Sequence, residues 1–472
     1  MNSLHAHLAL RASAERRAIA KTTLRHVHLH HQPLVIAGYH LAGDPGAPLA
    51  LLWGIDPTAE PHCMVVPEPR NRGLRFMGLN NFAIEFLDYL ASFDAREGDA
   101  CLDAPQIVVP NTLTASWLGG IVGRFTRNLR TEGDGAAPPA VPLAGKHVSF
   151  LADRFPGSNL LLAMTDVLTT HWQTGQLPSE NANLAALLGW IDPPAGTDGP
   201  AAALAGETMP PAGPDSDPNW DADKLAELVQ AWHAAENAHD AARMGSVRGR
   251  LEDEVREQLT PAWSDCWRAL SLLDSLQPAA HVAHRWAADI REWTAHSDRM
   301  ADGRAFFRNI PTPTQSAMQL KMLEERTEQL QREMAWDDPL VMATFVANGE
   351  ALAGRVTSVD AERKVPSARG RRQRRPLITL EPRVDFARPA GTKLHLSTHP
   401  EVALVVLPGG TDVSISVEVT AGANTNPTVG RLPAAGDDVV LSPFGKTEFY
   451  QRTRVTEIPW THQQILDDEQ DY

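Results

Sequence analysis

The spacing of apolar positions changes twice along the chain. Near the N-terminus, three short apolar runs at 33–41, 48–53 and 63–66 are separated by turn-forming residues, and this pattern predicts an antiparallel meander of strands. Beyond the meander, apolar residues recur every three or four positions over long stretches, which predicts helices. From about residue 350 the apolar and polar residues alternate, which predicts strands again. The pattern therefore predicts a multi-domain α+β protein.

The N-terminal region continues after the meander with helices and one more strand. A helix is expected at about 79–93, where Phe82, Phe86 and Leu90 share one face. The further expected elements are a strand at 106–109, a helix at about 112–128, and helical segments at about 158–173 and 181–191. The order β-β-β-α-β-α resembles the topology of ribonuclease-H-like domains. That resemblance implies, by analogy alone, the same fold for an N-terminal α/β domain.

The middle region is expected to form a helical bundle. Its apolar residues follow helical spacing in several strings separated by polar residues or proline. The last string has the 3-4-3-4 spacing of a coiled-coil seam over two heptads and consists of Leu320, Leu323, Thr327, Leu330 and Met334. Pairing of this seam within the bundle and pairing with a protein partner both fit the pattern, and we expect a protein partner for the helical region.

The C-terminal region has the pattern of a small antiparallel β-barrel. Val413, Ile415, Val417 and Val419 alternate with polar residues, which is typical of a strand with one buried face. Further strands are predicted at 352–359, 377–380, 393–396, 402–407 and 439–441. Closure of these short strands into a barrel is the favoured arrangement, because it removes exposed sheet edges.

Local composition predicts the domain boundaries. Residues 192–219 are rich in proline and glycine and poor in large apolar side chains, which is typical of a linker. The expected divisions are an N-terminal amphipathic helix (1–25), the α/β domain (26–191), the linker (192–219), the helical region (220–338), a β-barrel domain (340–462) and an acidic tail (463–472).

Composition also limits the function and the compartment. The 472 residues include 58 acidic and 43 basic side chains, for a formal charge of −15, so a generally cationic coat for nucleic acid or membrane is excluded. Three scattered cysteines, Cys63, Cys101 and Cys266, favour a reducing compartment. The arginine-rich N-terminus resembles a transit segment, but a surface helix is favoured over it. We expect a cytoplasmic protein without a membrane contact.

One basic segment interrupts this acidic chain between two predicted barrel strands. The loop 361–376 carries seven basic residues against the single acid Glu362. They are Arg363, Lys364, Arg369, Arg371, Arg372, Arg374 and Arg375. Small barrels commonly bind nucleic-acid backbones, so these seven residues are the candidate nucleic-acid contact, with DNA and RNA both open. A solvated insertion and a docking segment for an acidic partner are the alternatives.

Candidate catalytic and metal sites are weaker. Ribonuclease-H-like nucleases bind two divalent metals with carboxylates from the first strand, the first helix and the end of the fourth strand. Here the first strand ends in Tyr39 and His40, and the fourth strand ends in Asn111. The helix offers Glu85 or Asp88. No cofactor is expected.

Two histidine patterns invite comparison with metal sites. Alternating His26, His28 and His30 have ligand spacing, and Glu236 with His239 has the i, i+3 spacing of a di-metal bundle. A histidine-rich strand edge is favoured for the first. The second lacks the matching motif on another helix.

The sequence therefore favours a non-catalytic accessory or adaptor protein of a cytoplasmic nucleic-acid-processing assembly. The contact would be made by the C-terminal barrel and its arginine-rich loop. One alternative is a divalent-metal-dependent nuclease or hydrolase that uses the N-terminal domain with Glu85 and Asp88. The other is a protein-binding scaffold.

Overall fold

The computed structural model describes residues 3–308, 310–366, 370–386, 388–411, 413–423 and 431–446. Two compact units divide the chain at residue 328. We call residues 9–328 the α/β unit, and residues 3–8 with 329–446 the barrel unit. No helix in the described part of the chain combines the length and the apolar content that a membrane crossing requires.

Helices occupy most of the chain before residue 350. Their bounds are α1 (Ser3–Glu15), α2 (Arg72–Ala91), α3 (Thr112–Trp117), α4 (Ala140–Ala152), α5 (Met164–His171), α6 (Leu184–Ile191), α7 (Gly199–Glu207), α8 (Pro218–Trp220), α9 (Ala226–Asn237), α10 (Ala241–Asp274), α11 (Val282–Ala301), α12 (Pro313–Asp337) and α13 (Pro339–Ala347). Wider π-type turns extend α3 over Leu118–Arg124 and precede α9 over Asp221–Leu225, and a 3₁₀ turn covers Glu180–Ala182.

The strands form the central sheet of the α/β unit, the barrel and three short pairs. Their bounds are β1 (Ile19–Ala20), β2 (Leu34–Leu41), β3 (Asp44–Gly54), β4 (His62–Val65), β5 (Arg96–Glu97), β6 (Ala100–Cys101), β7 (Ile107–Val109), β8 (Leu161–Ala163), β9 (Trp172–Gln173), β10 (Leu352–Asp360), β11 (Lys364–Pro366), β12 (Arg372–Arg374), β13 (Leu377–Pro382), β14 (Lys393–Leu396), β15 (His399–Val406), β16 (Ile415–Ala421) and β17 (Asp438–Ser442).

The central sheet of the α/β unit has the strand order β4-β3-β2-β7-β8. The predicted meander is present, since β2, β3 and β4 pair antiparallel, and β7 and β8 then add parallel to β2. Alternate residues of β2 enter two cores on opposite faces of the sheet. Ile36 packs in the core that contains Phe82 and Phe86 of α2, and Val35 in the core that contains Val255 of α10. Helices therefore cover both faces, which is why the central strands are apolar throughout.

Two buried segments differ from the expected elements. Residues 161–163, expected to be helical, form strand β8 before α5 begins. A short, fully buried apolar run has no periodicity that separates strand from helix, so the sequence pattern could not assign it. Helix α4 is the second such segment: it was not predicted, and its buried face includes Val141, Val148 and Phe150.

The segment 192–219 also differs from a flexible linker. It contains α7, which crosses α6 so closely that a Cβ on Gly189 would lie 2.7 Å from the carbonyl carbon of Ala202, and a Cβ on Gly206 would lie 2.7 Å from that of Ala185. These glycines allow close helix contact. The segment shares the α/β unit with the regions on either side of it.

Helix α10 is longer than the predicted strings of the middle region. It continues through Pro261, which lies inside the helix. Leu259 and Ala262 on either side of the proline are buried in the sheet core, and this burial offsets the hydrogen bond that proline cannot donate.

The predicted barrel is confirmed. Six antiparallel strands close in the order β10-β13-β16-β15-β14-β17, and β17 pairs back to β10. Inward residues such as Leu380, Leu404 and Val417 are at most 1% exposed, as the period-2 alternation requires. Between β10 and β13, strands β11 and β12 form a separate antiparallel hairpin.

Candidate nucleic-acid interface

The described part of the basic loop contains the two antiparallel strands of the hairpin, β11 and β12. In its register, Lys364 lies opposite Arg374 and Pro366 lies opposite Arg372. Because side chains alternate between the two faces of a strand, Lys364, Arg372 and Arg374 share one face. Arg369 lies outside the described residues.

Two arginines on the other face attach the hairpin to barrel strand β16. Arg363 Nη1 donates to Glu418 Oε2 at 2.6 Å and to the carbonyl oxygen of Arg375 at 3.1 Å. Arg375 Nη1 donates to the carbonyl oxygen of Thr420 at 2.5 Å. The Arg363 and Glu418 side chains are 27% and 19% exposed, so this is a half-buried, charge-assisted hydrogen bond. Both arginines have structural partners within the barrel unit.

Arg374 is a third structural arginine. Its Nε donates to the carbonyl oxygen of Ala361 at 2.8 Å, and its Nη2 donates to Glu362 Oε1 at 2.9 Å. Only 13% of its side chain is exposed. The basic residues that remain exposed in the described hairpin are Lys364, Arg371 and Arg372. Phe386, the aromatic residue nearest in sequence, packs against the barrel core.

In the α/β unit, the carboxyl ends of β2 and β7 carry His40 and Asn111, as the sequence indicated. His40 is 3% exposed, and its Nδ1 lies 2.9 Å from the carbonyl oxygen of Leu41. Asn111 Oδ1 accepts from the backbone N–H of Thr114 at 2.8 Å and so caps α3. Asn111 Nδ2 donates to the carbonyl oxygen of Gly213 at 2.8 Å.

Residues 211–216, here called the edge strap, lie across this edge of the sheet. The backbone N–H of His40 donates to the carbonyl oxygen of Pro214 at 2.8 Å, and that of Ser216 donates to the carbonyl oxygen of His40 at 3.1 Å. Tyr39 Oη donates to the carbonyl oxygen of Pro211. The edge strap approaches β2 so closely that a Cβ on Gly213 would lie 2.5 Å from the carbonyl oxygen of Gly38. The chain's own backbone therefore covers the ends of the central strands.

Glu85 and Asp88 do not join this edge. Glu85 Oε2 accepts from Trp53 Nε1 at 3.0 Å and lies 2.9 Å from His62 Nδ1. His62 begins β4, which runs parallel to β2, so Glu85 lies at the opposite edge from His40. There it lines an open groove of about 460 Å³ with Trp53, His62 and Arg256. Asp88 is exposed on α2.

The N-terminal histidines have structural contacts. The His28 ring stacks on Trp286 at 4.0 Å between centroids, and the backbone N–H of His28 donates to Asn159 Oδ1. The backbone N–H of His26 donates to His171 Nε2 at 3.1 Å. Burial lowers the pKa of His28 and of His171 to about 4. At neutral pH these imidazoles are therefore uncharged.

Glu236 and His239 do not share one helix face, because α9 ends at Asn237 and His239 has a φ of 52°. Glu236 instead lies near His233 and Glu68. One ligand atom from each of these three residues falls within 4.8 Å of the others, and all three side chains are half-buried. Among the described residues, this is the group that could hold a divalent ion. The contribution of Glu68, from the loop before α2, could not be read from the sequence.

Comparisons with known proteins identify no relative of this chain: no family model, no curated protein and no solved structure matches it.

Proposed function

We propose that this protein is a non-catalytic accessory or adaptor component of a cytoplasmic nucleic-acid-processing assembly, and that the barrel hairpin contacts the nucleic-acid backbone. One observation carries the proposal: Arg363, Arg374 and Arg375 bond within the barrel unit, while Lys364 and Arg372 are exposed on one face of the hairpin and Arg371, next to Arg372 in the chain, is also exposed. Cations on hydrogen-bonded strands lose less conformational freedom on binding than cations in an unpaired loop do, so their binding has a smaller entropic cost. Backbone phosphates are the ligands such a cluster favours.

The N-terminal domain is proposed to have ribonuclease-H-like topology without nuclease activity. The order and directions of its five strands support the topology. Two-metal cleavage needs carboxylates that converge on one edge, whereas His40 and Asn111 stand at the strand ends and the edge strap covers them. Of the two acids of the nuclease alternative, Glu85 accepts a hydrogen bond from Trp53 at the other edge and Asp88 is exposed on α2. We therefore favour a structural role for this domain.

A protein-binding scaffold is the second candidate, and helix α12 favours it. Leu320 and Met318 are 59% and 53% exposed on this helix. The proposed coiled-coil seam from Leu320 to Met334 would give such a partner helix an apolar stripe. A partner bound at α12 is compatible with nucleic acid bound at the hairpin.

The hairpin proposal is tested with the full-length protein and fluorescein-labelled 20-base-pair duplex DNA and RNA at low salt. Replacing Lys364, Arg371 and Arg372 together with Gln is expected to weaken binding about tenfold or more. We expect the slope of log affinity against log salt to fall by roughly 0.9 for each lost phosphate contact. The control replaces Arg11, Arg70 and Arg250 with Gln, because these arginine side chains are at least 55% exposed.

Equal affinity and equal salt dependence of the hairpin variant and wild type would contradict the proposal. Cleavage of the probe that requires Mg²⁺ or Mn²⁺ and disappears in Glu85→Gln would favour the nuclease alternative. Capture of a stoichiometric protein partner without any nucleic-acid binding would favour the scaffold.

A further inference from the structure

A second basic surface lies on the α/β unit, where the turn after α3 meets the start of α4. The segment 123–130 contains Arg124, Arg127 and Arg130 at intervals of three residues, with Phe125 between the first two. Beside it is an open groove of about 670 Å³, here called the Arg127 groove. Its lining includes Arg127, Asn128, Thr131, Lys146, Phe306 and Phe307.

Arg127 is a buried cation with unused hydrogen-bonding capacity. The residue is 6% exposed. Its Nη2 donates to the carbonyl oxygen of Arg308, and its guanidinium carbon lies 5.2 Å from the centre of the Phe307 ring. Its Nε is buried without a hydrogen-bond partner. A guanidinium stays charged at neutral pH. Because Arg127 lines the groove, its positive charge favours an anionic ligand there.

Arg127 has charged neighbours of both signs. Asp153 and Arg124 are the charged groups that act on it, and burial raises the pKa of the Asp153 carboxyl group. Glu132 and Asp134 follow in an exposed loop. The facing chain is held by Asn128 Nδ2, which donates to the carbonyl oxygen of Phe307 at 2.9 Å. The groove thus combines a fixed wall with a fixed buried cation.

Two phenylalanines at this surface are exposed. Phe306, which lines the groove, is 80% exposed, and Phe125 is 70% exposed. The other phenylalanines among the described residues are less exposed than these two. A large aromatic ring left in water gives up most of the free energy it would gain by burial. Phe306 lines the groove together with Arg127 and Lys146, and Phe125 follows Arg124 in the chain. Cations that contact phosphates and aromatic rings that stack on bases are the chemistry that binds single-stranded nucleic acid.

We propose that the Arg127 groove binds a single-stranded segment of nucleic acid, with phosphates against Arg127 and Lys146 and bases stacked on Phe306 and Phe125. This proposal rests on the proposed nucleic-acid function and adds to it a preference for single-stranded over duplex nucleic acid. Paired bases in a duplex do not offer their faces to a side chain, so the groove discriminates against duplex. An acidic peptide would satisfy the cations but would leave the two rings exposed.

The test measures binding of the full-length protein to fluorescein-labelled (dT)20, to a 20-base-pair duplex and to polyglutamate. Phe125→Ala with Phe306→Ala is expected to weaken (dT)20 binding on the order of tenfold or more, because each stacked base contributes substantially to affinity. Duplex binding is expected to change by less than twofold. Phe306→Trp is expected to retain (dT)20 binding. Leu204→Ala, which removes another exposed apolar side chain (64% exposed), is the matched control.

The charge contribution is tested by Lys146→Gln, for which the salt slope on (dT)20 should fall by roughly 0.7 for one lost phosphate contact. Unchanged (dT)20 affinity in the double phenylalanine variant would overturn the proposal for the Arg127 groove and would not affect the hairpin proposal. Loss of duplex binding in the hairpin variant, but not in the double phenylalanine variant, would support the hairpin proposal and would show that the two sites are separate. Tighter binding of polyglutamate than of (dT)20, abolished by Lys146→Gln, would also overturn the groove.

Discussion

Arginine and glycine residues of this chain show how much a residue's role depends on its surroundings. Arg363 and Arg372 lie nine positions apart in one basic segment, yet Arg363 bonds to Glu418 within the barrel unit and Arg372 is exposed. Gly196 and Gly213 both lie in the Pro/Gly-rich segment with positive φ, but open space surrounds Gly196 while Gly213 touches β2. Residue type alone does not distinguish the two members of either pair.

We predict that Gly213→Ala destabilises the α/β unit more than Gly196→Ala does. Their φ angles of 90° and 85° impose a similar backbone cost on alanine. Only at Gly213, of this pair, would the new Cβ meet a carbonyl oxygen, at 2.5 Å. The added loss is expected to be roughly 1–3 kcal/mol in the free energy of unfolding, measured by urea denaturation. Equal losses of unfolding free energy in the two variants would show that the edge strap can move away from β2 without loss of stability.

At the scale of elements, the hairpin β11–β12 and the edge strap are positioned by a few specific bonds. Arg363 and Arg375 join the hairpin to β16. Backbone hydrogen bonds to His40 join the edge strap to β2. We expect these bonds to contribute to whether each element stays docked.

We predict that Glu418→Gln loosens the hairpin, because Arg363 then loses the carboxylate of a half-buried pair. Hydrogen bonds to charged groups contribute about 1.5–3 kcal/mol, so amide hydrogen exchange over 364–374 should accelerate on the order of tenfold. In the matched control, Asp438→Asn breaks the Arg383–Asp438 pair, whose side chains are 61% and 55% exposed. Such a pair contributes about 0–1 kcal/mol. Hairpin exchange that stays at the wild-type rate in Glu418→Gln would show that other contacts hold it.

At the scale of the whole molecule, buried histidines couple the stability of the α/β unit to pH. His171 is fully buried, its Nε2 accepts from the backbone N–H of His26, and its Nδ1 lies 2.7 Å from the carbonyl oxygen of Val167. Both ring nitrogens are thus used by the neutral imidazole. Burial lowers the pKa of His28, His147 and His171 to about 4, from an ordinary value of 6.5.

We predict that the α/β unit loses stability as pH falls from about 6.5 to 4. In this window the unfolded chain binds protons at these histidines and the folded chain does not, so unfolding becomes more favourable. Each such histidine contributes about 1.4 kcal/mol per pH unit at most. The measurement is the urea midpoint against pH for wild type, for His171→Gln and for His239→Gln, an exposed histidine. A smaller pH slope is expected in His171→Gln alone. The same slope in all three would contradict the assignment.

The local spacing of apolar residues was sufficient to predict the elements that are buried on one side only. Apolar and polar residues alternate along the barrel strands because one face of each strand is buried. Apolar residues recur every three or four positions along helix α2 because one stripe of the helix is buried. The basic segment was also visible as a run of charge. The pattern was insufficient where a segment is buried on all sides, as in β8, or where long-range contact stabilises a Pro/Gly-rich segment, as in α7 and the edge strap.

The sequence by itself determined that the chain is acidic with one basic segment, that a strand meander is followed by helices and then by further strands, and that a small barrel closes its C-terminal region, because these properties depend on residues close together in the chain. Only the tertiary structure decided which arginines are exposed, that the ends of the central strands are covered by 211–216, and that Phe306 lies beside Arg127. These relations join residues up to about 180 positions apart. The physical reason is that burial and charge compensation depend on neighbours in space, which local spacing does not encode.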